Sequence, residues 1–114
     1  MEAMKVSTIK IPIYHGELTM ILCENWKEVN DKYSMEISDS FDGVVFTPEK
    51  EDGYSEYVVA FNRPPKGFVI AHECVHLVNH IFSDRGIRPD IFNDEPQAYL
   101  TGFFFQEIEK FLAN

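Results

Sequence analysis

The sequence predicts a single α+β domain spanning residues 1–114, in which a small antiparallel sheet packs on a pair of helices. Short β-branched runs bounded by turn residues predict four strands. Apolar residues recur with helical spacing in three other segments, the longest of them after residue 66. Apolar residues make up 45% of the 114-residue chain, which suits one modest hydrophobic core. The predicted order of elements is β-β-α-β-β-α-α.

The first half of the chain predicts two hairpins and one short helix. The strands are expected over residues 5–14, 18–23, 44–47 and 54–61. The His15–Gly16 pair predicts the turn of the first hairpin, and the polar segment 48–53 predicts the loop of the second. Asn25 is a suitable N-cap for a helix over about 26–35.

The second half predicts two amphipathic helices. The first spans about residues 67–83 and ends at the Arg85–Gly86 pair, since glycine readily adopts the left-handed conformation after a helix. The second begins near Pro96, which suits a first helical turn, and runs to about residue 112. The apolar side of the first helix includes Cys74. Its polar side chains fall within an arc of about 120° and consist of Asn79, His72, Ser83, His76, His80 and Glu73.

Charge and cysteine content restrict the partners and the expected location. The formal net charge of −9 disfavours nucleic acid and anionic membranes as partners, because Lys and Arg make phosphate contacts. No apolar run approaches the length that spans a bilayer, and the first residues lack a signal-peptide pattern. Two cysteines, Cys23 and Cys74, do not indicate a disulfide framework. We therefore expect a cytoplasmic protein, and the sequence indicates no particular oligomeric state.

The stretch from His72 to His76 carries the most specific chemical signal. Residues four apart lie on one face of a helix, so His72 and His76 can direct two imidazoles at one metal ion. Glu73 lies about 100° further round the helix, where it can reach a water near that ion. In this H-E-x-x-H arrangement the histidines bind zinc and the glutamate acts as the general base.

Catalytic zinc usually has three protein ligands, so a third is expected. Glu95 lies in the first turn of the next helix, with eighteen residues between it and His76. His80 continues the histidine series but lies about 12 Å along the helix axis from His72, so Glu95 is the preferred candidate. Asp94 is interpreted as a helix cap or as a group that orients a ligand. Gly102 lies on the same face as Glu95, and its missing side chain predicts a close approach of the two helices.

The spacing of these residues resembles that of the gluzincin branch of the zincin metallopeptidases. The resemblance implies one Zn²⁺ ion per chain, bound by His72, His76 and Glu95, with Glu73 as the general base. The match covers about residues 67–105. In size and layout the chain is similar to minimal single-domain forms, such as short metallopeptidase-like proteins of bacteria and phages.

The resemblance implies a zinc-dependent peptidase that acts on a peptide or protein substrate. In such folds an exposed sheet edge commonly holds an extended peptide, and the strand over 54–61 is expected near that edge. Larger gluzincins often carry an aspartate four residues after the ligand glutamate, where this chain has Tyr99. They also take the group that stabilises the oxyanion from a further domain. The candidates for that group in this chain are His15, Tyr57, Tyr99 and Arg88.

Two other functions are compatible with the same residues. A metal-stabilised binding or regulatory module without turnover, encoded by a phage or prophage, would use zinc for folding free energy. A metal-free structural domain would carry His72 and His76 as incidental surface residues. Thermal stability with and without a chelator separates the metal-free domain from the other two functions. The substitution Glu73→Gln separates the peptidase from the binding module.

Overall fold

The computed structural model describes residues 4–48 and 55–114 and shows the predicted α+β class and order of elements. The strands are β1 (Lys5–Lys10), β2 (Glu17–Leu22), β3 (Gly43–Phe46) and β4 (Glu56–Phe61). The helices are α1 (Trp26–Tyr33), α2 (Gly67–Asp84) and α3 (Glu95–Ala113). The polar loop predicted at 48–53 lies outside the described residues apart from residue 48.

The four strands form one mixed sheet in the order β1-β2-β4-β3. Both predicted hairpins are present, because β1 pairs antiparallel with β2, and β3 pairs antiparallel with β4. Strands β2 and β4 are parallel neighbours, so the expectation of an antiparallel sheet is wrong at this one pair. Each hairpin forms between strands that are neighbours in the sequence. The pairing of β2 with β4, which joins the two hairpins, depends instead on where the chain returns to the sheet after α1.

Helices cover both faces of the sheet, so its two central strands are buried on both sides. In β4, Tyr57, Val59 and Phe61 face the larger core under α2 and α3, while Val58 and Ala60 face α1. Burial on both faces explains why this strand is a continuous apolar run and not an alternating one. Helix α1 is capped as predicted, because the Asn25 side chain accepts a hydrogen bond from the Lys27 amide at 3.0 Å.

Helix α2 buries one side against the sheet and α3, and Cys74 lies on that side as predicted. The helix ends at Asp84, and Gly86 follows with a φ of 69°, which confirms the predicted stop. The apolar side of α3 supplies the remaining core, with Leu100, Phe104, Ile108 and Phe111 buried. Among the described residues, no helix is long and apolar enough to cross a membrane.

Gly102 does not mark a close approach of α2 and α3. A Cβ atom added at Gly102 would have no neighbour within 4 Å, so the predicted contact at this position is wrong. The residue lies on the exposed side of α3, while the large side chains of Leu100 and Phe104 fill the space toward the core.

Arg85, which directly follows α2, connects the end of this helix to the turn between β1 and β2 by hydrogen bonds. Its guanidinium donates hydrogen bonds to the carbonyl oxygens of Tyr14 and His15, at 2.7 and 3.0 Å, and to Ser55 Oγ at 3.2 Å. Two non-glycine residues of this turn, Ile13 and His15, have φ values of 68° and 64°. A left-handed backbone costs an L-residue about 1–2 kcal/mol, so the hydrogen bonds of Arg85 hold a strained turn.

Candidate active site

The imidazoles of His72 and His76 converge on one point at the exposed side of α2. Their Nε2 atoms lie 3.1 Å apart, and the two ring planes are inclined by 77°. Two nitrogens bound to one tetrahedral zinc ion at about 2.05 Å would lie about 3.3 Å apart. The pair therefore fits two zinc ligands, and the same separation suits a hydrogen bond between the rings in the metal-free chain.

Glu73 is buried beside this histidine pair, with only 5% of its surface exposed. Burial raises the pKa of its carboxyl group above the ordinary value, because the charged form loses contact with water. Positive charge on His72 and His76 acts on this pKa in the opposite direction and has the smaller effect. The site therefore places the Glu73 carboxyl group, whose pKa is raised, beside the imidazoles of His72 and His76.

The backbone of β3 lies directly over the Glu73 side chain at Gly43. A Cβ atom added at Gly43 would lie 3.1 Å from Glu73 Cγ and 3.2 Å from its Oε2. Only glycine permits this approach without a shift of the neighbouring groups. The contact between Gly43 and Glu73 was not predicted from the sequence, since Gly43 lies just before the predicted strand 44–47. A glycine at the border of a strand is the available signal, since glycine in a strand often marks a close approach of another group.

A cleft of about 450 Å³ joins the histidine pair to the edge of the sheet. One wall consists of α2 residues, including His80 and the exposed Phe68, and the other wall is the segment 40–45. The edge of the sheet at this cleft is β3, and β4 lies one position further in. The expectation that strand 54–61 lies near the edge is therefore refined, since β3 itself forms it.

Glu95 is not brought together with the histidine pair. It is exposed on the first turn of α3 and lines surface depressions with Tyr99 and Phe103. Within residues 4–48 and 55–114, no three His, Cys, Asp or Glu side chains are close enough to hold a metal ion. Two other potential ligands, His80 and Asp42, do line the cleft.

The four candidates for oxyanion stabilisation lie away from the cleft lining. Tyr57 is buried and donates a 2.6 Å hydrogen bond to Asp84 at the end of α2. Burial and this hydrogen bond raise the pKa of Tyr57 to about 12, which fits a structural contact. His15 is part of the strained β1–β2 turn, while Arg88 and Tyr99 are exposed.

Cys74 follows Glu73 in the chain but is not a metal ligand. It is fully buried on the opposite side of α2, and Cys23 and Cys74 form no disulfide bond. Burial, with a further contribution from the charge of Glu73, raises the pKa of the Cys74 thiol to about 12. Its position on the core side of α2 keeps the thiol away from the exposed histidine pair.

No protein-family model, curated protein or solved structure matches this chain. The resemblance to gluzincins is carried by His72, Glu73, His76 and their spacing to Glu95, and it stays a prediction. A function must therefore be argued from the histidine pair, the buried carboxyl group and the cleft beside them.

Proposed function

We propose that the chain is a zinc-dependent peptidase whose centre is formed by His72, Glu73 and His76. The observation that carries the proposal is the 3.1 Å convergence of the two Nε2 atoms on the wall of a cleft, next to a buried carboxyl group. A zinc ion held there would supply a Lewis acid for the scissile carbonyl and would acidify a water molecule. Neutral imidazoles are common ligands of zinc, which supports this choice of metal.

Glu73 is the proposed general base. Burial raises its pKa, so its carboxylate accepts a proton more readily than an exposed glutamate does. The backbone of β3 at Gly43 packs closely against the Glu73 side chain, which limits the movement of its carboxyl group. In this proposal Glu73 takes a proton from water and passes it to the leaving amine.

The proposed substrate is an extended peptide aligned with β3. Strand β3 is an edge of the sheet and forms part of the cleft wall, so a peptide beside it can make main-chain hydrogen bonds. Phe41 and Phe68 are exposed aromatic residues on opposite walls of the same cleft. Such walls favour a substrate with a bulky apolar side chain close to the scissile bond.

The proposed third zinc ligand is Glu95, His80 or Asp42. Glu95 is proposed from its spacing, whereas His80 and Asp42 are supported by their position in the cleft. The single substitutions Glu95→Gln, His80→Gln and Asp42→Asn separate these alternatives when zinc affinity is measured by competition with a chelator. Loss of a direct ligand should weaken zinc binding by more than about 100-fold, since loss of a group that only orients a ligand costs about 10–100-fold.

Metal analysis tests the centre itself. The wild-type chain should bind about one zinc ion, and the double substitution His72→Ala, His76→Ala should abolish binding. His15→Ala is the matched control, because His15 is the histidine that lies outside α2. Glu73→Gln should retain zinc and lose peptidase activity. Full zinc occupancy in the double variant would disprove the site, and activity in Glu73→Gln would disprove the mechanism.

One observation favours a second function, a metal-stabilised binding module without turnover. The His72–His76 pair, with Nε2 atoms 3.1 Å apart, could equally begin a site for a metal that only stabilises the fold, and such a module needs no general base. In that case a chelator lowers the melting temperature, and Glu73→Gln leaves function intact. For either function we propose a cytoplasmic location, supported by two buried cysteines, Cys23 and Cys74, that are not joined in a disulfide.

A further inference from the structure

We propose that Trp26 is a positioning residue for the cleft, because it holds the wall at Phe41 and so sets the fit of a bulky apolar substrate side chain. This role rests on the proposed function and adds to it a contribution from α1. The Trp26 side chain is buried, and its indole Nε1 donates a 3.0 Å hydrogen bond to the carbonyl oxygen of Phe41. A buried indole N–H usually has a partner, and here the acceptor belongs to a residue that lines the cleft.

Trp26 is itself held in place by the smaller core between α1 and the sheet. The buried cluster that contains its indole also includes Val29 of α1 and Val58 and Ala60 of β4, all of them fully buried. Because such interiors are close-packed, the indole has little freedom to move. It is therefore a fixed point from which the hydrogen bond to the cleft wall can act.

A second contact ties the same segment to α1. Asn30 accepts a hydrogen bond at Oδ1 from the amide of Ile37 at 2.8 Å and donates one from Nδ2 to the Ile37 carbonyl oxygen at 3.4 Å. Between the two anchors, the amide of Phe41 donates to the carbonyl oxygen of Ser38 at 3.1 Å. Helix α1 thus positions the segment from Ile37 to Phe41 at both of its ends.

The position of Phe41 affects the substrate-binding side of the cleft more than the proposed general base. The Phe41 side chain is half exposed and lies on the wall opposite Phe68. Gly43, which packs against Glu73, is held separately by the pairing of β3 with β4. Loss of the Trp26 hydrogen bond should therefore loosen the wall at Phe41 and leave Glu73 in place. In peptide hydrolysis KM should rise, while kcat should change less.

Binding of two hydroxamates to the zinc-loaded chain tests this role. Phenylalanine hydroxamate carries a zinc-binding group and a phenyl ring, whereas acetohydroxamate carries the zinc-binding group without the ring. Trp26→Phe should weaken phenylalanine hydroxamate by about threefold to tenfold, as for the loss of one hydrogen bond, and should leave acetohydroxamate unchanged. When Phe41→Ala is already present, Trp26→Phe should have no further effect, since Trp26 acts through Phe41.

The wild-type chain offers a test that needs no substitution. Trp26 is the single tryptophan of the sequence, so its indole N–H gives one assigned NMR signal. Phenylalanine hydroxamate should shift this signal, and acetohydroxamate should not. A signal that stays in place while phenylalanine hydroxamate binds would overturn the proposal.

The matched control is Thr8→Val, which removes one 3.0 Å hydrogen bond, to Thr19, from β1 at the opposite edge of the sheet. Hydrogen exchange of the amides of residues 41–45 should become about threefold to tenfold faster in Trp26→Phe and stay unchanged in Thr8→Val. Exchange needs neither zinc nor turnover, so a chain that binds no zinc would disprove the proposed centre while exchange still decides the role of Trp26. Equal exchange in the two variants, or equal weakening of both hydroxamates by Trp26→Phe, would overturn that role.

Discussion

The close contact between Gly43 and Glu73 makes Gly43→Ala a sharp test of the site geometry. The new methyl group would lie 3.1 Å from Glu73 Cγ and 3.1 Å from Phe61 Cδ1, about 0.3 Å short of the 3.4 Å at which ordinary contact begins. Phe61 is fully buried in a close-packed core and has no room to move away, so the Glu73 side chain or the β3 backbone must move.

The expected effect of Gly43→Ala on stability is a modest loss. Overpacking typically costs about 1–3 kcal/mol, and the reduced entropy of the unfolded chain offsets about 0.4–1 kcal/mol of it. A net loss of about 1 kcal/mol lowers the melting temperature by about 4 °C for a domain of this size. Thermal unfolding followed by circular dichroism measures this change.

The expected effect on function is larger, because the carboxyl group of Glu73 is displaced. If the chain is the proposed peptidase, its activity should fall at least about tenfold, since small misplacements of catalytic groups are costly. Zinc affinity should stay unchanged, because the methyl group meets Glu73 and Phe61 and not the imidazoles.

Gly102→Ala is the matched control, since an added Cβ there has no neighbour within 4 Å. It should raise stability by about 0.5–1 kcal/mol, as alanine does within a helix. If Gly43→Ala instead raises stability as much as Gly102→Ala and leaves the Glu73 pKa unaltered, the packing of Glu73 beneath β3 is refuted.

Three further substitutions test the buried carboxyl group of Glu73, the hydrogen bonds from Arg85 to the β1–β2 turn, and the hydrophobic core. Glu73→Gln should raise the melting temperature of the metal-free chain at pH 7, because burial raises the Glu73 pKa and ionisation therefore disfavours the fold. This gain should shrink as the pH falls through the raised pKa and vanish below the ordinary value near 4.5, as melting curves across pH will show. Arg85→Met removes three hydrogen bonds from a charged donor and should cost about 2 kcal/mol in urea unfolding. Phe104→Ala should cost about 3–5 kcal/mol in the same assay, because its side chain is fully buried between α3 and the core.

The order of elements could be predicted because it depends on local patterns. Helical and strand periodicities extend over a few residues, and Asn25 and Gly86 mark helix ends through contacts within one turn. The parallel pairing of β2 and β4 could not be predicted in the same way. It depends on how the chain packs after α1, which no short stretch of sequence specifies.

The residues of the candidate site also differ in whether their positions depend on local or on distant contacts. The convergence of His72 and His76 follows from a spacing of four residues on one helix, and the structure shows it. The burial of Glu73 depends on β3, which precedes it by about thirty residues, and only Gly43 signals the contact. The spacing of the residues therefore predicted that the two imidazoles converge, but it did not predict that the Glu73 carboxyl group is buried beneath β3.

The position of Glu95 can be understood from the apolar face of α3. At 100° per residue, Phe104 lies about 180° around the helix from Glu95, and Leu100 lies about 140° from it. Burial of Leu100 and Phe104 therefore directs Glu95 away from the core, into solvent. The ten-residue connection between α2 and α3 is long enough to allow many positions, so the apolar face decides where Glu95 lies.

Zinc binding through Glu95 would thus require the first turn of α3 to rearrange. Addition of zinc should then change the amide chemical shifts of residues 93–99 in NMR spectra of the wild-type chain, and Glu95→Gln should abolish that change. Zinc binding through His80 or Asp42 would confine the changes to α2 and the segment 40–45, since both residues already line the cleft. Unchanged shifts at 93–99 in a fully zinc-loaded chain would exclude Glu95, because a ligand cannot bind the ion while its helix turn stays in place.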